Sequence, residues 1–242
     1  MDIHKPKAAH SWREFLIEIG TIICGILIAL ALEQGIEFVH WRERTEQTEH
    51  RLRAELADMG GQAAYQIDMQ RCTWDMLFSV RDALRKSGDE WTPPHKITSS
   101  RGSIVLFVPT GVWDPQGWKN AQADGTANRI PPEEADLFGG AYARVAAIRE
   151  RFVRTAEEEA DLNSLAVVRK LDTASRAEYL QKVYRVSSGL NAMDALSANL
   201  LRNLKDLNIT PNKIDETEPQ MRLLRKMCAD YHNGLKDIRV AY

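Results

Sequence analysis

The sequence predicts an all-α fold: an N-terminal transmembrane helix continuing into a long helix, then a soluble helical bundle with one irregular loop region. Three observations carry that expectation. Apolar residues recur at spacings of three and four through most of the chain beyond residue 50. Prolines fall between these periodic stretches and not inside them. Strand-turn-helix alternation, the mark of a nucleotide-binding sheet, is missing. The chain has 242 residues and 27.4 kDa, room for one domain or one domain with an appendage. Its 32 basic and 34 acidic residues leave a net charge of −2, which argues against a nucleic-acid binder. Hydrophobic residues at 44% and charged residues at 27% fit a packed protein, and three cysteines are too few for a disulfide scaffold.

A short tail (residues 1–14) precedes the apolar segment. Residues 19–32 read IGTIICGILIALAL, uncharged and apolar around the whole helical circumference. At ~1.5 Å per residue that run covers roughly 21 Å, short of a ~30 Å hydrocarbon core. The window 15–39 is long enough and takes in Glu18, Glu33 and Glu37. Glu18 and Glu33 lie about 22 Å apart on a helix, near opposite interfaces, where a carboxylate costs least. Trp12 and Phe15 before the run, and Phe38 and Trp41 after it, are placed as interfacial anchors. We therefore expect a single span over 15–39. The alternatives are a signal peptide cut after Ala29-Leu-Ala31 and a buried core helix. The short tail favours a cytoplasmic N-terminus and a periplasmic bulk domain. Thr21, Gly25 and Ala29, spaced by four, form a small-residue stripe suited to helix-helix contact in lipid. Glu18 and Glu33 border it as intramembrane or interfacial carboxylates.

Residues 40–88 continue as a membrane-proximal stalk helix, with weak coiled-coil spacing at its start and the stripe Leu52, Leu56, Met59, Ala63, Ile67, Trp74, Leu77, Leu84. Gly60-Gly61 weakens this helix locally, and Ser87-Gly88 stops it. Residues 89–131 are irregular. Within them the apolar run 104–108 is strand-like but too short to predict a sheet, and Asp114-Pro115 opens a short helix ending near Gly125. Residues 132–242 form the bundle. Pro131-Pro132-Glu133-Glu134 opens one helix, with Phe138, Ala141, Val145, Ile148, Phe152, Leu162 and Leu165 inward. Asp172-Thr173 opens another, with Leu180, Tyr184, Leu190, Leu200, Leu204 and Leu207 as its buried face. The last, from about 215–219, presents Met221, Leu224, Cys228, Tyr231, Leu235 and Ile238.

Chemical motifs are scarce. There is no H-E-x-x-H, G-x-S-x-G, Walker loop, C-x-x-C or G-x-G-x-x-G. Glu37-Phe-Val-His40 is one E-x-x-H, a unit of di-iron bundles, but a site needs a second copy, which only a homodimer would bring. An interfacial polar stripe is the simpler reading of Glu37 and His40. The acidic run Glu157 to Glu159 with Asp161 reads as a solvated helix face. Residues 98–103, with Arg101, have the composition of an anion-contacting loop, though such loops are common. Trp113 and Trp118 are expected to pack the short helix down, and Arg81 to sit paired at the bundle edge. Cys24 falls in the span. For Cys72 and Cys228 we expect buried free thiols, with a disulfide as the alternative that a periplasmic location would permit.

Glu18-Ile19, the run GILIAL (residues 25–30) and the long helix that follows resemble an uncharacterised family of bacterial single-span membrane proteins. The later set Trp118, Ala121, Gly125, Ile130, Glu133, Leu137 and Tyr142 is similar to a tryptophan, small-residue, glycine, acidic-helix, tyrosine arrangement in that family. Glu33 and Gln34 depart from it, since many relatives place asparagine and tryptophan there. The resemblance implies a single-pass protein of the bacterial inner membrane and brings no activity with it. The functional expectation is a membrane-anchored scaffold or interaction module, without catalysis or cofactor, whose partners are the lipid bilayer and a second copy or another membrane protein. The alternatives are an accessory subunit of a larger membrane complex, and a metal-binding or enzymatic protein using Glu37 and His40.

Overall fold

A computed structural model of the chain describes residues 12–100, 102–109, 111–214 and 219–240. The expectations for most of the N-terminal tail, for Arg101 and for the start of the last helix over 215–218 lie outside the described residues. The chain divides into two units, Met1–Glu49 and His50–Tyr242. Helix α1 (Trp12–Lys86) belongs to both, and it ends at the Ser87-Gly88 stop that its sequence carries.

The described residues of the first unit are the N-terminal part of α1. Its apolar residues stand exposed: Ile17 at 67%, Leu27 at 58% and Ile28 at 62%. No residue of its most apolar 18-residue window is buried.

The second unit is mostly helical, as expected: α1 from residue 50, α2 (Gln116–Ala123), α3 (Pro132–Asn163), α4 (Thr173–Asp206) and α5 (Pro219–His232). Pro132 occupies the first turn of α3, where its missing N–H loses nothing. Asp172 caps α4 by accepting from the Ser175 N–H at 2.7 Å. Asp114 accepts from the Gln116 N–H at 3.0 Å, so it steers the chain into α2 from one position before the cap, which is Pro115.

Two apolar cores result. One gathers Leu77, Trp91, Leu106, Leu165 and Val186, and the other Leu56, Phe138, Ile148, Leu200 and Leu204. In the second, Trp118 stacks on Phe138 and Tyr142, while the Tyr142 hydroxyl donates to Glu55 at 2.9 Å. Packing therefore accounts for Trp118, as it does for Trp113, which is buried.

α3 and α4 form an antiparallel pair. Lys182 meets Asp161 at 2.7 Å and Arg185 meets Glu158 at 3.1 Å. Gly189 lies against Thr155, where even a methyl group would overlap the hydroxyl. After α4 the chain turns through Asn208 (φ 54°) and crosses α1 at Gly60-Gly61. There the Asn212 N–H donates to the Ala57 carbonyl at 2.8 Å, and a Cβ on Gly61 would collide with the Asn212 carbonyl. The glycine pair weakens the helix locally in order to admit this backbone crossing.

Two features correct the sequence-based reading, and one adds to it. Beside the helices, which agree with the all-α expectation, the described residues form five short strands: β1 (Glu90–Trp91), β2 (Lys96–Ser99), β3 (Gly102–Ile104), β4 (Arg169–Lys170) and β5 (Asp237–Arg239). β1 pairs antiparallel with β4, while β2 lies between antiparallel β3 and parallel β5. The stripe assigned to the last helix overruns it. Gly234, at φ 83°, ends the helical path, leaving Leu235 exposed and placing the buried Ile238 on β5. Tyr184 was expected in the buried face of α4 but is 53% exposed, its hydroxyl accepting from Arg85 at 2.5 Å. A tyrosine satisfies helical periodicity at the edge of a buried face because its polar tip can remain wet.

Candidate functional site

The residues singled out in the span all lie on α1 in the first unit. Glu18, Thr21, Gly25, Ala29 and Glu33 are exposed, and the Thr21 hydroxyl donates to the Ile17 carbonyl at 2.9 Å. A Cβ at Gly25 would meet nothing within 4 Å. The stripe is continuous by helical spacing, and no described residue occupies it. Glu37 accepts from Trp41 Nε1 at 3.2 Å, and His40 is exposed. Among the described residues no three His, Cys, Asp or Glu side chains are grouped to hold a metal.

The second unit contains a built site that the sequence reading did not assemble. It is the seam between α1 and α5. Asp68, Cys72 and Asp75 rise along one face of α1 at spacings of four and three, and Arg225, Cys228 and His232 rise along α5 at three and four. They meet in order: Arg225 to Asp68 at 3.1 Å, Cys228 to Cys72 as a disulfide, and His232 Nε2 to Asp75 at 3.1 Å. Rising numbers on both sides make the helices parallel at this seam. The Tyr231 hydroxyl adds a bond to the Asp75 carbonyl at 2.9 Å. The expectation of free thiols at Cys72 and Cys228 is thus overturned. Parallel docking in this register brings their Cα atoms to 5.7 Å, within the reach of a disulfide.

Above the disulfide, the seam closes on a buried histidine. His95 Nε2 lies 2.7 Å from the Val105 carbonyl, and Nδ1 lies 3.0 Å from the Ser79 hydroxyl. A carbonyl only accepts, so Nε2 carries the proton and Nδ1 offers its lone pair to Ser79. The Tyr231 ring meets the imidazole edge-on at 4.9 Å. Burial holds the His95 pKa below its ordinary value, against the hydrogen bond to Val105, so the ring is neutral at pH 7. The pair links α1 to the segment before β2 and to α5.

Below the disulfide lies a cavity of about 560 Å³, walled by α1, the 211–214 segment and α5. Tyr65 lines it, yet the Tyr65 hydroxyl is buried and has no hydrogen-bond partner. Such an orphan costs about 1–3 kcal/mol. Burial pushes the Tyr65 pKa up to about 12, with Arg225 lowering it and Asp68 raising it, so the phenol keeps its proton.

Further along, the 105–108 segment is held by side chains of α3. Asn163 Oδ1 accepts from the N–H groups of Val105 and Leu106, at 3.0 and 2.9 Å. Glu159 accepts from Val108 N–H at 3.2 Å and from Asn163 Nδ2 at 3.5 Å, and burial pushes its pKa up to about 7 against these two hydrogen bonds. The acidic run read as a solvated face therefore turns Glu159 inward.

No protein-family model, curated protein or solved structure matches the chain.

Proposed function

We propose that this is a single-span membrane protein whose second unit lies in an oxidising compartment, the bacterial periplasm, and serves as a scaffold or interaction module. The observation that carries this reading is the contrast inside α1. An apolar stretch long enough to cross a bilayer buries none of its most apolar 18 residues, whereas a core helix would bury its apolar face. Anchors at Trp12, Phe15, Phe38 and Trp41 fit the interfaces of such a span. The Cys72–Cys228 bridge supports the orientation, because structural disulfides persist in the periplasm and are rare in the cytosol. In lipid the stripe Thr21, Gly25, Ala29 would pair with a second copy or with another membrane protein. The family resemblance read from the sequence is compatible with this placement.

Two measurements on intact cells test the reading. Thiols are alkylated before lysis, and the Cys72 and Cys228 peptides are then mapped without reduction; they are expected to travel as one linked pair. Protease added to spheroplasts is expected to remove the second unit. Alkylated single peptides together with full protection would place the second unit in the cytosol and overturn the proposal. Should gentle solubilisation instead recover the protein in fixed ratio with a larger membrane assembly, the accessory-subunit reading replaces the independent scaffold.

A further inference from the structure

We propose that the cavity between α1, the 211–214 segment and α5 binds a small organic carboxylate with an apolar body. Its volume of about 560 Å³ falls in the range of small-molecule sites. Ala64, Pro211, Ile214 and Met221 supply an apolar wall, while Tyr65, Asp68, Asn212, Lys213 and Arg225 supply the polar groups.

The ligand class follows from which of those groups are already used. Arg225 and Asp68 neutralise each other at 3.1 Å. The Asn212 amide is engaged by Asp58 at 2.7 Å. Among the described residues of the wall, that leaves the Lys213 ammonium as the charge in excess and the Tyr65 hydroxyl as an unmet donor. Both are donors, so the complement is an acceptor carrying negative charge. A carboxylate has two acceptor oxygens, one for each donor, and binds more strongly to a charged donor than a neutral carbonyl does. Tyr65 itself lines the cavity, so the orphaned hydroxyl belongs to a residue of its wall. The proposal goes beyond the scaffold reading and holds whichever side of a membrane the unit occupies.

The test is a fluorine NMR titration of 4-fluorophenylacetate onto the full chain in nanodiscs, with 4-fluorophenylacetamide as the uncharged control. Saturable binding with a dissociation constant below about 1 mM is expected for the acid only. Lys213→Ala and Tyr65→Phe should each weaken it about fivefold or more. Tyr65→Phe also removes the orphaned hydroxyl, so its thermal midpoint should stay level or rise, which separates lost binding from lost folding. No saturable binding to the wild type, equal binding of the amide, or unchanged affinity in both variants would overturn the proposal.

Discussion

The two parts of α1, residues 15–39 and 50–86, are equally regular as helices and opposite in what their side chains meet. In the first, isoleucines and leucines point in every direction and stand exposed. In the second, Leu52, Leu56, Met76, Leu77 and Leu84 are fully buried along one stripe, while Asp58, Asp68, Arg71 and Lys86 remain in water or at a seam. Backbone geometry does not distinguish them, and the distribution of apolar residues around the axis does. A helix with one stripe is stabilised by packing against its neighbours; one with no polar face belongs in a protein core or a lipid bilayer.

The contrast can be broken most forcefully by the same substitution in both parts. Leu77→Ala should lower unfolding stability of the full chain in nanodiscs by about 2–5 kcal/mol, since it leaves a cavity in a close-packed core. Leu27→Ala, in the exposed stretch, should change it by less than about 0.5 kcal/mol. Denaturant titration followed by near-UV circular dichroism reads both, and equal effects would erase the distinction.

Next in size is the disulfide. Cys72→Ser should cost about 2–4 kcal/mol in the same assay, and a reducing agent should reproduce that loss in the wild type with no effect on the serine variant.

Glu159→Gln sharpens the comparison through pH. The folded-state pKa of Glu159 is raised to about 7, so the folded chain holds its proton more tightly than the unfolded chain does. Its contribution is fully present below the ordinary glutamate range and is lost as pH rises through about 7. The amide keeps the acceptor for Val108 N–H without the charge. It should therefore stabilise the protein by on the order of 1–2 kcal/mol at pH 8 and leave it unchanged near pH 4. His95 works in the other direction: with its pKa lowered by burial, its contribution is lost as pH falls below the ordinary histidine range. Urea titrations at pH 4, 6 and 8 resolve the sign.

The smallest expected effect is at the α4 cap. Asp172→Ala removes the acceptor of the Ser175 N–H and should cost about 1 kcal/mol by the same titration at pH 7. A much larger loss would mean that Asp172 supports more than its own helix.

The helices were legible because each signal is local: the proline at the start of α3, the aspartate before α4, and the three-and-four spacing of Leu52 to Leu84. What was missed depended on chain segments meeting from far apart. β2 and β5 are separated by about 140 positions and are each too short to show a strand pattern. The Asn233-Gly234 stop was overridden by an apolar spacing that happens to continue into β5. The α1–α5 seam did leave a trace. An aspartate lies four positions before and three after Cys72, and an arginine three before and a histidine four after Cys228. Pairing the cysteines in parallel brings Arg225 to Asp68 on one side and His232 to Asp75 on the other, a match that favours the bridge over free thiols. Nothing in the sequence marked Tyr65 or Lys213, because a cavity is a property of three segments and of none alone.

The contrast within α1 has its most direct consequence in where residues 15–39 reside in the mature protein. Membranes prepared from expressing cells are washed with alkaline carbonate, and the intact mass of the protein is measured in pellet and supernatant. Full-length protein is expected in the pellet alone. Full-length protein in the detergent-free supernatant, or a shortened form beginning near Leu32, would contradict that expectation.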